Sequence, residues 1–232
     1  MKKMTLLLLS TLFLAILILN CNNKDDTTAE DSYDVNLYGI PEFVVVDYIE
    51  LDKISRISRF RSAAGHDYWD NFESCRSMKH YFEPKAEVDW SAIKIFSPVD
   101  GKISKVYSEW AGKQLHIKSD KNPAFYFIIF HVQVLGSLEV GDKVTAGQQL
   151  GTHIGDQTMS DIAVGVQTPN GWKLVSWFET LADSIFEHYQ DRGVGSRDDL
   201  IITKQDRDND PLVCEGKEFI SQGNLENWAI LN

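Results

Sequence analysis

The sequence predicts a mostly-β fold, an antiparallel sheet with one flanking helix and a C-terminal extension. Three observations predict it: many short β-branched or alternating runs, Gly- and Pro-bearing turn segments between them, and a single stretch with helical periodicity. Phe43–Val46 is a β-branched run, and Ile54 to Phe60 alternates imperfectly, gathering Lys53, Arg56, Arg59 and Arg61. Ala92–Phe96 is a short alternating strand, closed by Ser97-Pro98-Val99-Asp100-Gly101, where Pro fixes φ and Gly permits a positive φ. Ile103 to Trp110 and Gln114 to Lys118 follow as short strands. Ala124 to Val134 is nearly all apolar and aromatic, as expected of a central strand buried on both faces. From Val140 to Gly151 three glycines punctuate the chain, with Val144 and Leu150 placed to face inward, and Ile162 to Gln167 is a further strand. Ser176 with Glu179 forms a capping box, and Trp177, Leu181, Ile185 and Tyr189 recur at helical spacing, which predicts one helix ended by Gly193 or Gly195. Leu200–Thr203 is expected as a last strand.

The N-terminal segment carries a targeting signal. Lys2 and Lys3 precede an apolar run, Leu6 to Leu19, broken only by Ser10 and Thr11. The run is short of the ~20 apolar residues of a bilayer-spanning helix and has the length and flanks of a signal-peptide core. Cys21 follows at once, and the chain then turns polar. This order resembles a bacterial lipoprotein signal, which implies cleavage before Cys21 and lipid on its thiol; Asn20 departs from the usual small residue at that point. The expected organisation is a signal peptide over 1–20, a tether over 21–35 with too little apolar surface to fold, a β domain over 36–195 and an extension over 196–232. The expected location is the cell envelope, with the lipid holding the chain to a membrane.

Without the signal segment the chain carries 21 basic and 34 acidic side chains, a net charge near −13, which argues against nucleic acid as a partner. With Cys21 lipidated, Cys75 and Cys214 remain. In an oxidising compartment they are disulfide candidates; two unrelated buried thiols are the alternative.

Four elements in order carry a further resemblance: Gly65-His66-Asp67-Tyr68-Trp69-Asp70, Ser97-Pro98-Val99-Asp100-Gly101, Phe130-His131, and Val140-Gly141-Asp142 through Gly147-Gln148-Gln149-Leu150-Gly151. From about His66 to Gln167 the sequence resembles the lysostaphin-like zinc endopeptidases (the duplicated hybrid motif type), which cut cross-linking peptides of bacterial cell walls. The resemblance implies that His66 and Asp70, in His-x-x-x-Asp spacing, are metal ligands and that His131 orients or deprotonates a metal-bound water. It also implies a late His-x-His, and there the sequence departs: Asp161 and Ala163 stand at those two positions. Ala163 cannot bind metal, whereas a catalytic zinc site has three protein ligands. His80, His153, Asp156 and Asp161 are the residues that could complete a site, with His153 placed to approach His131 as a second catalytic candidate.

Arg61, Arg76 and Lys79, with Arg59, His66 and His80, crowd positive charge into an acidic chain. They suit a pocket for an anionic group, such as a wall-peptide carboxylate, or else a set of ion pairs with nearby Asp and Glu. Ser77-Met78-Lys79-His80 resembles the Met-Lys motif of biotin carriers only superficially, since it does not lie at a hairpin tip between matched strands. His116 alternates with Leu115 and Ile117 and is expected on a polar surface; His188, late in the helix, suits the dipole. The expectation is an envelope lipoprotein whose peptidase-related, catalytically impaired domain binds cell-wall peptide or another envelope partner. The alternatives are an active zinc endopeptidase with a rearranged ligand set, and a purely structural lipoprotein.

Overall fold

The computed structural model describes residues 31–232; Cys21 and the signal segment lie outside the described residues. Among the described residues no helix is long and apolar enough to cross a membrane. The domain is an antiparallel, mostly-β structure. An 11-stranded sheet follows the path β13-β1-β2-β9-β6-β5-β4-β7. Its strands are β1 (Ile54–Ser58), β2 (His80–Pro84), β3 (Lys94–Phe96), β4 (Gly101–Ser108), β5 (Lys113–Ser119), β6 (Phe125–Val134), β7 (Lys143–Val144), β8 (Gln149–His153), β9 (Ser160–Thr168), β10 (Gly171–Val175) and β13 (Trp228–Ile230). Off the main path, β10 pairs with β9, β3 with β8, and β8 with β6. A separate hairpin joins β11 (Cys214–Glu215) to β12 (Glu218–Phe219), and a one-turn helix, α1 (Val35–Tyr38), precedes the first strand.

β6 organises the molecule. It pairs with β5 along one edge, with β9 through Phe125–Ile129 on the other, and with β8 through Val132–Val134. Alternation splits its side chains: Phe125, Phe127 and Ile129 join the large core with Val44, Tyr48, Phe82, Trp177 and Phe178. Ile128 and Phe130 join a smaller cluster with Phe60, Met78, Ala163 and Leu174. Both faces are covered, which is why the strand reads as an unbroken apolar run. Val144 and Leu150 are buried as the glycine-punctuated segment predicts, and Gly147 supplies a φ of +80° in its turn.

Four expectations are corrected. The tether is docked before residue 36: Asp31 pairs with Lys118 at 3.2 Å, and the Tyr33 N–H donates to the Gln167 carbonyl while its ring packs on Phe125. The segment 43–46 is not a strand, because Val44 makes a lone bridge to Leu181. That bridge also divides the predicted helix. α2 (Trp177–Thr180) starts on the Ser176/Glu179 capping box as expected, but Leu181 and Ala182 are extended, their backbone engaged by Val44, and α3 (Asp183–Gln190) restarts after them. Leu200–Thr203 makes only a single bridge, Ile201 to Phe60, between a 3₁₀ turn and α4 (Lys204–Asn209).

The C-terminal extension is integral to the domain. Arg207, fully buried, donates through Nε to the Arg61 carbonyl and through Nη1 to the Asp210 carbonyl. β13 closes the sheet on β1, and Cys75 is disulfide-bonded to Cys214, with Cα atoms 5.7 Å apart.

Candidate functional site

The small-cluster face of the sheet carries the one concentration of buried titratable groups that the sequence singled out. β2 and β9 bring it together. Lys79 immediately precedes β2 and shares a face with Tyr81, two residues on, and Tyr81 lies opposite Asp161 of β9. The Lys79 ammonium, 2% exposed, pairs with the Asp161 carboxylate, which is fully buried. It also stands 3.4 Å from His66 Nε2. His66 Nδ1 lies 2.8 Å from the Asp67 carbonyl, which can only accept; Nδ1 therefore carries the proton and Nε2 offers its lone pair to the ammonium. Three rings enclose the same charge: Phe130 at 4.2 Å, Tyr81 at 4.7 Å and Tyr68 at 5.1 Å from Nζ to the ring centre.

Electrostatics agree with this geometry. Burial alone would lower the Lys79 pKa, but the Asp161 charge outweighs it and the net shift is upward, so the lysine is a fixed cation. Burial, then the Lys79 charge, lowers the His66 pKa, so the imidazole beside the ammonium stays neutral. Burial pushes the Tyr68 hydroxyl up to about 12. The Tyr81 hydroxyl lies beside the ammonium and the His66 backbone, and burial, partly offset by the Lys79 charge, raises its pKa.

His131 extends the group. Its backbone has φ +59°, a left-handed conformation uncommon for a residue other than glycine, at a bulge where the β5–β6 register shifts. Gly112 makes room opposite, since a Cβ there would come within 2.9 Å of the Val132 carbonyl. The bulge aims the imidazole between two carboxylates: Nε2 is 3.5 Å from Asp161 and Nδ1 is 3.4 Å from Glu109, while Nδ1 donates to the Ala111 carbonyl at 3.0 Å. Both carboxylate contacts are too long for well-formed hydrogen bonds, and the facing oxygens, Asp161 Oδ1 and Glu109 Oε2, have no hydrogen-bond partner. Burial, partly offset by His131, raises the Glu109 pKa. The exposed Trp110 ring packs on His131 at 5.7 Å, and exposed Trp69, next to Tyr68 in the chain, has Lys217 over its face.

The other residues singled out by the sequence lie elsewhere or are spoken for. Asp70 is not beside His66 in a common site: Oδ1 accepts from Phe72 and Glu73 N–H, and Oδ2 accepts from Leu174 N–H, capping the outer edge of β10. His80 donates from Nδ1 to the Ser58 carbonyl and accepts from the Ser176 hydroxyl at Nε2, deep in the fold. His153 pairs across from Val132, and its Nδ1 accepts from Gly155 N–H; it is near His131 but makes no hydrogen bond to it. Ala163 lies opposite Ile128 inside the small apolar cluster. Of the two readings of the basic cluster, anion pocket or ion pairs, the side chains form the ion pairs: Arg61 binds both oxygens of Glu73 at 2.8 Å, Arg76 bridges Glu73 and Asp208 at 2.9 Å, and Lys79 is held by Asp161. His116 is half-buried, not a surface residue, and burial takes its pKa down to about 4.

Zinc, which the resemblance implies, does not fit these residues. The cation between His66 and Asp161 is already the Lys79 ammonium, and the carboxylate and ring atoms of Asp70 and His80 are committed to the fold. Among the described residues no group of three or more His, Cys, Asp or Glu is placed to hold a metal ion. Glu109, Tyr68 and Tyr81 were not singled out by the sequence. Tyr81 had a signal, its same-face spacing from Lys79; Glu109, at a hairpin tip, had none.

No family model matches the chain, and no curated protein matches it. Solved structures do. A protein assigned as the glycyl-glycine endopeptidase LytM from Ruminococcus gnavus is 18% identical over 44% of this chain and 43% of its own, with a TM-score of 0.35. The SpoIIQ–SpoIIIAH pore-forming complex matches at 13% identity over 63% and 97%, TM-score 0.41. Lysostaphin matches at 14% over 50% and 52%, TM-score 0.32. The chain thus spans about half the length of the endopeptidase and of lysostaphin.

Proposed function

We propose that this chain is a lipid-anchored envelope protein whose domain binds a cell-wall peptide without cleaving it. The observation that carries the reading is the Lys79 ammonium at the polar centre, paired with Asp161 and facing the His66 lone pair, where hydrolysis would need an open metal coordination position. Ala163 in an apolar cluster supports it. The recognition surface we assign is exposed Trp110, backed by the largely buried row of contacting rings His131, Phe130, Tyr68 and His66, with exposed Trp69 next to Tyr68 in the chain. Aromatic faces of this kind bind the apolar and sugar-linked parts of a wall peptide, and Glu109 is placed to accept from its amines. Calorimetry of the full chain with soluble wall peptides, with and without added zinc, tests this. Binding without release of cleaved product is expected, with at least a tenfold loss in Trp110→Ala. Metal-dependent cleavage, or no binding to any wall peptide, would sink the proposal.

A further inference from the structure

A cleft of about 200 Å³ opens between α1, β10 and α2, lined by Asn36, Arg61, Lys173 and Glu179 over buried Phe60 and Leu174. Neither the Lys79–Asp161 pair nor the aromatic surface assigned above contributes to it. We infer that this cleft is a binding site for a small zwitterion, an α-amino acid with an apolar side chain.

Charges of both signs meet in the cleft without pairing. Lys173 Nζ donates to Asn36 Oδ1 at 3.3 Å and stands 5.6 Å from the centre of the Phe72 ring; among the described residues it has no carboxylate partner. Glu179 Oε2 accepts from the Ser176 N–H at 3.0 Å in the capping box, which leaves Oε1 without a hydrogen bond. Burial raises the Glu179 pKa, and the Ser176 N–H and the Arg61 and Lys173 charges offset part of that rise, so both cations act on the carboxyl. Arg61 is not available to close an ion pair with it. Its Nε and Nη2 are held by Glu73 and its Nη1 by the Ile202 carbonyl. Asn36 is fixed by its own backbone, whose N–H donates to Asp34 Oδ1 at 3.0 Å.

An amino acid answers each of these groups. Its ammonium donates to Glu179 Oε1, its carboxylate accepts from Lys173 Nζ and Asn36 Nδ2, and its side chain covers Phe60 and Leu174. A cation alone would leave Lys173 unpaired, and an anion alone would face Glu179. The volume is below the roughly 300 Å³ at which pockets for drug-sized ligands begin, and suits a ligand of about eight heavy atoms.

Calorimetry of the full chain with racemic valine, isovalerate and isobutylamine tests the inference, since the last two each lack one charged group. Valine is expected to bind with Kd on the order of 100 µM and the other two at least tenfold more weakly. Lys173→Met and Glu179→Gln are each expected to weaken valine at least tenfold; Met keeps the apolar stem and Gln keeps the capping box, so the fold is retained. No heat with valine up to about 10 mM overturns the inference. So does valine binding that both variants leave unchanged, or isovalerate or isobutylamine binding as tightly as valine. If one variant unfolds, the other decides. Trp110→Ala is expected to leave valine binding unchanged, so this inference and the proposed function fail separately; an equal loss in Trp110→Ala overturns the assignment to this cleft.

Discussion

Lys79 and Asp161 show how far a single pair can govern a face of the protein. Each alone is an expensive group to bury, and the pair is tolerated because the charges meet inside three aromatic rings. Removing one partner strands the other. Lys79→Met, measured by urea unfolding without divalent cations, is expected to lose about 3–5 kcal/mol, and Lys79→Met/Asp161→Asn to recover more than half of it. Equal losses in single and double variants would mean that packing of the lysine stem, not charge, dominates. Little of this was legible from the sequence. His66, His131 and Asp161 are picked out only by the family resemblance, and Lys79 reads as one cation of a basic cluster, because its pairing depends on β9 lying beside β2, a long-range contact with no local signature. For Arg61 and Arg76 the sequence left a pocket and ion pairs both open, and the ion-pair reading is the one observed: Glu73, close in sequence to both, and Asp208 bind them. Burial raises the Glu73 pKa, but its Arg61 and Arg76 contacts outweigh that and hold it below the usual carboxylate range.

At the scale of elements, legibility followed burial pattern. β6 and the glycine-punctuated turn could be read because their signals are local: two-face burial and positive φ. The capping box at Ser176 was equally local, and it formed. The helix beyond it broke because Val44, far away in sequence, pairs with the backbone at Leu181 and Ala182, and tertiary hydrogen bonds override a periodicity. Ser176 also joins α2 to β1 and β2 through His80, whose ring bridges Ser176 and the Ser58 carbonyl. Burial lowers the His80 pKa to about 4, below its unfolded value near 6.5. Between those values the unfolded chain takes up a proton that the folded chain refuses, so stability is full above about 6.5 and falls as pH drops toward 4, by about 3 kcal/mol for this group. His80→Gln is expected to be less stable near neutrality but to lose less between pH 6.5 and 4. Parallel profiles for the two proteins would remove His80 as the cause; His116, similarly depressed, accounts for part of the remaining slope.

For the whole molecule, the extension beyond residue 195 matters more than the sequence suggested. Arg207 is buried against the Arg61 backbone, β13 closes a sheet edge, and the disulfide spans 139 residues. Replacing both cysteines with Ala is expected to lower stability by about 2–5 kcal/mol, read as a fall in Tm. An unchanged Tm would show that Arg207 and β13 hold the extension unaided. The antiparallel, mostly-β class was legible throughout because it rests on many independent short runs, so the loss of the predicted strands at 43–46 and 200–203 did not alter it. The docking of Asp31 on Lys118 and of Tyr33 on Phe125 has a geometric consequence for the proposed anchor. Ten residue steps separate Cys21 from Asp31, a maximum reach of about 35 Å, close to the diameter of a domain this size. A lipid at Cys21 would thus make the protein a short-leashed sentinel, able to swivel over the bilayer but confined to targets within roughly one molecular width of its surface.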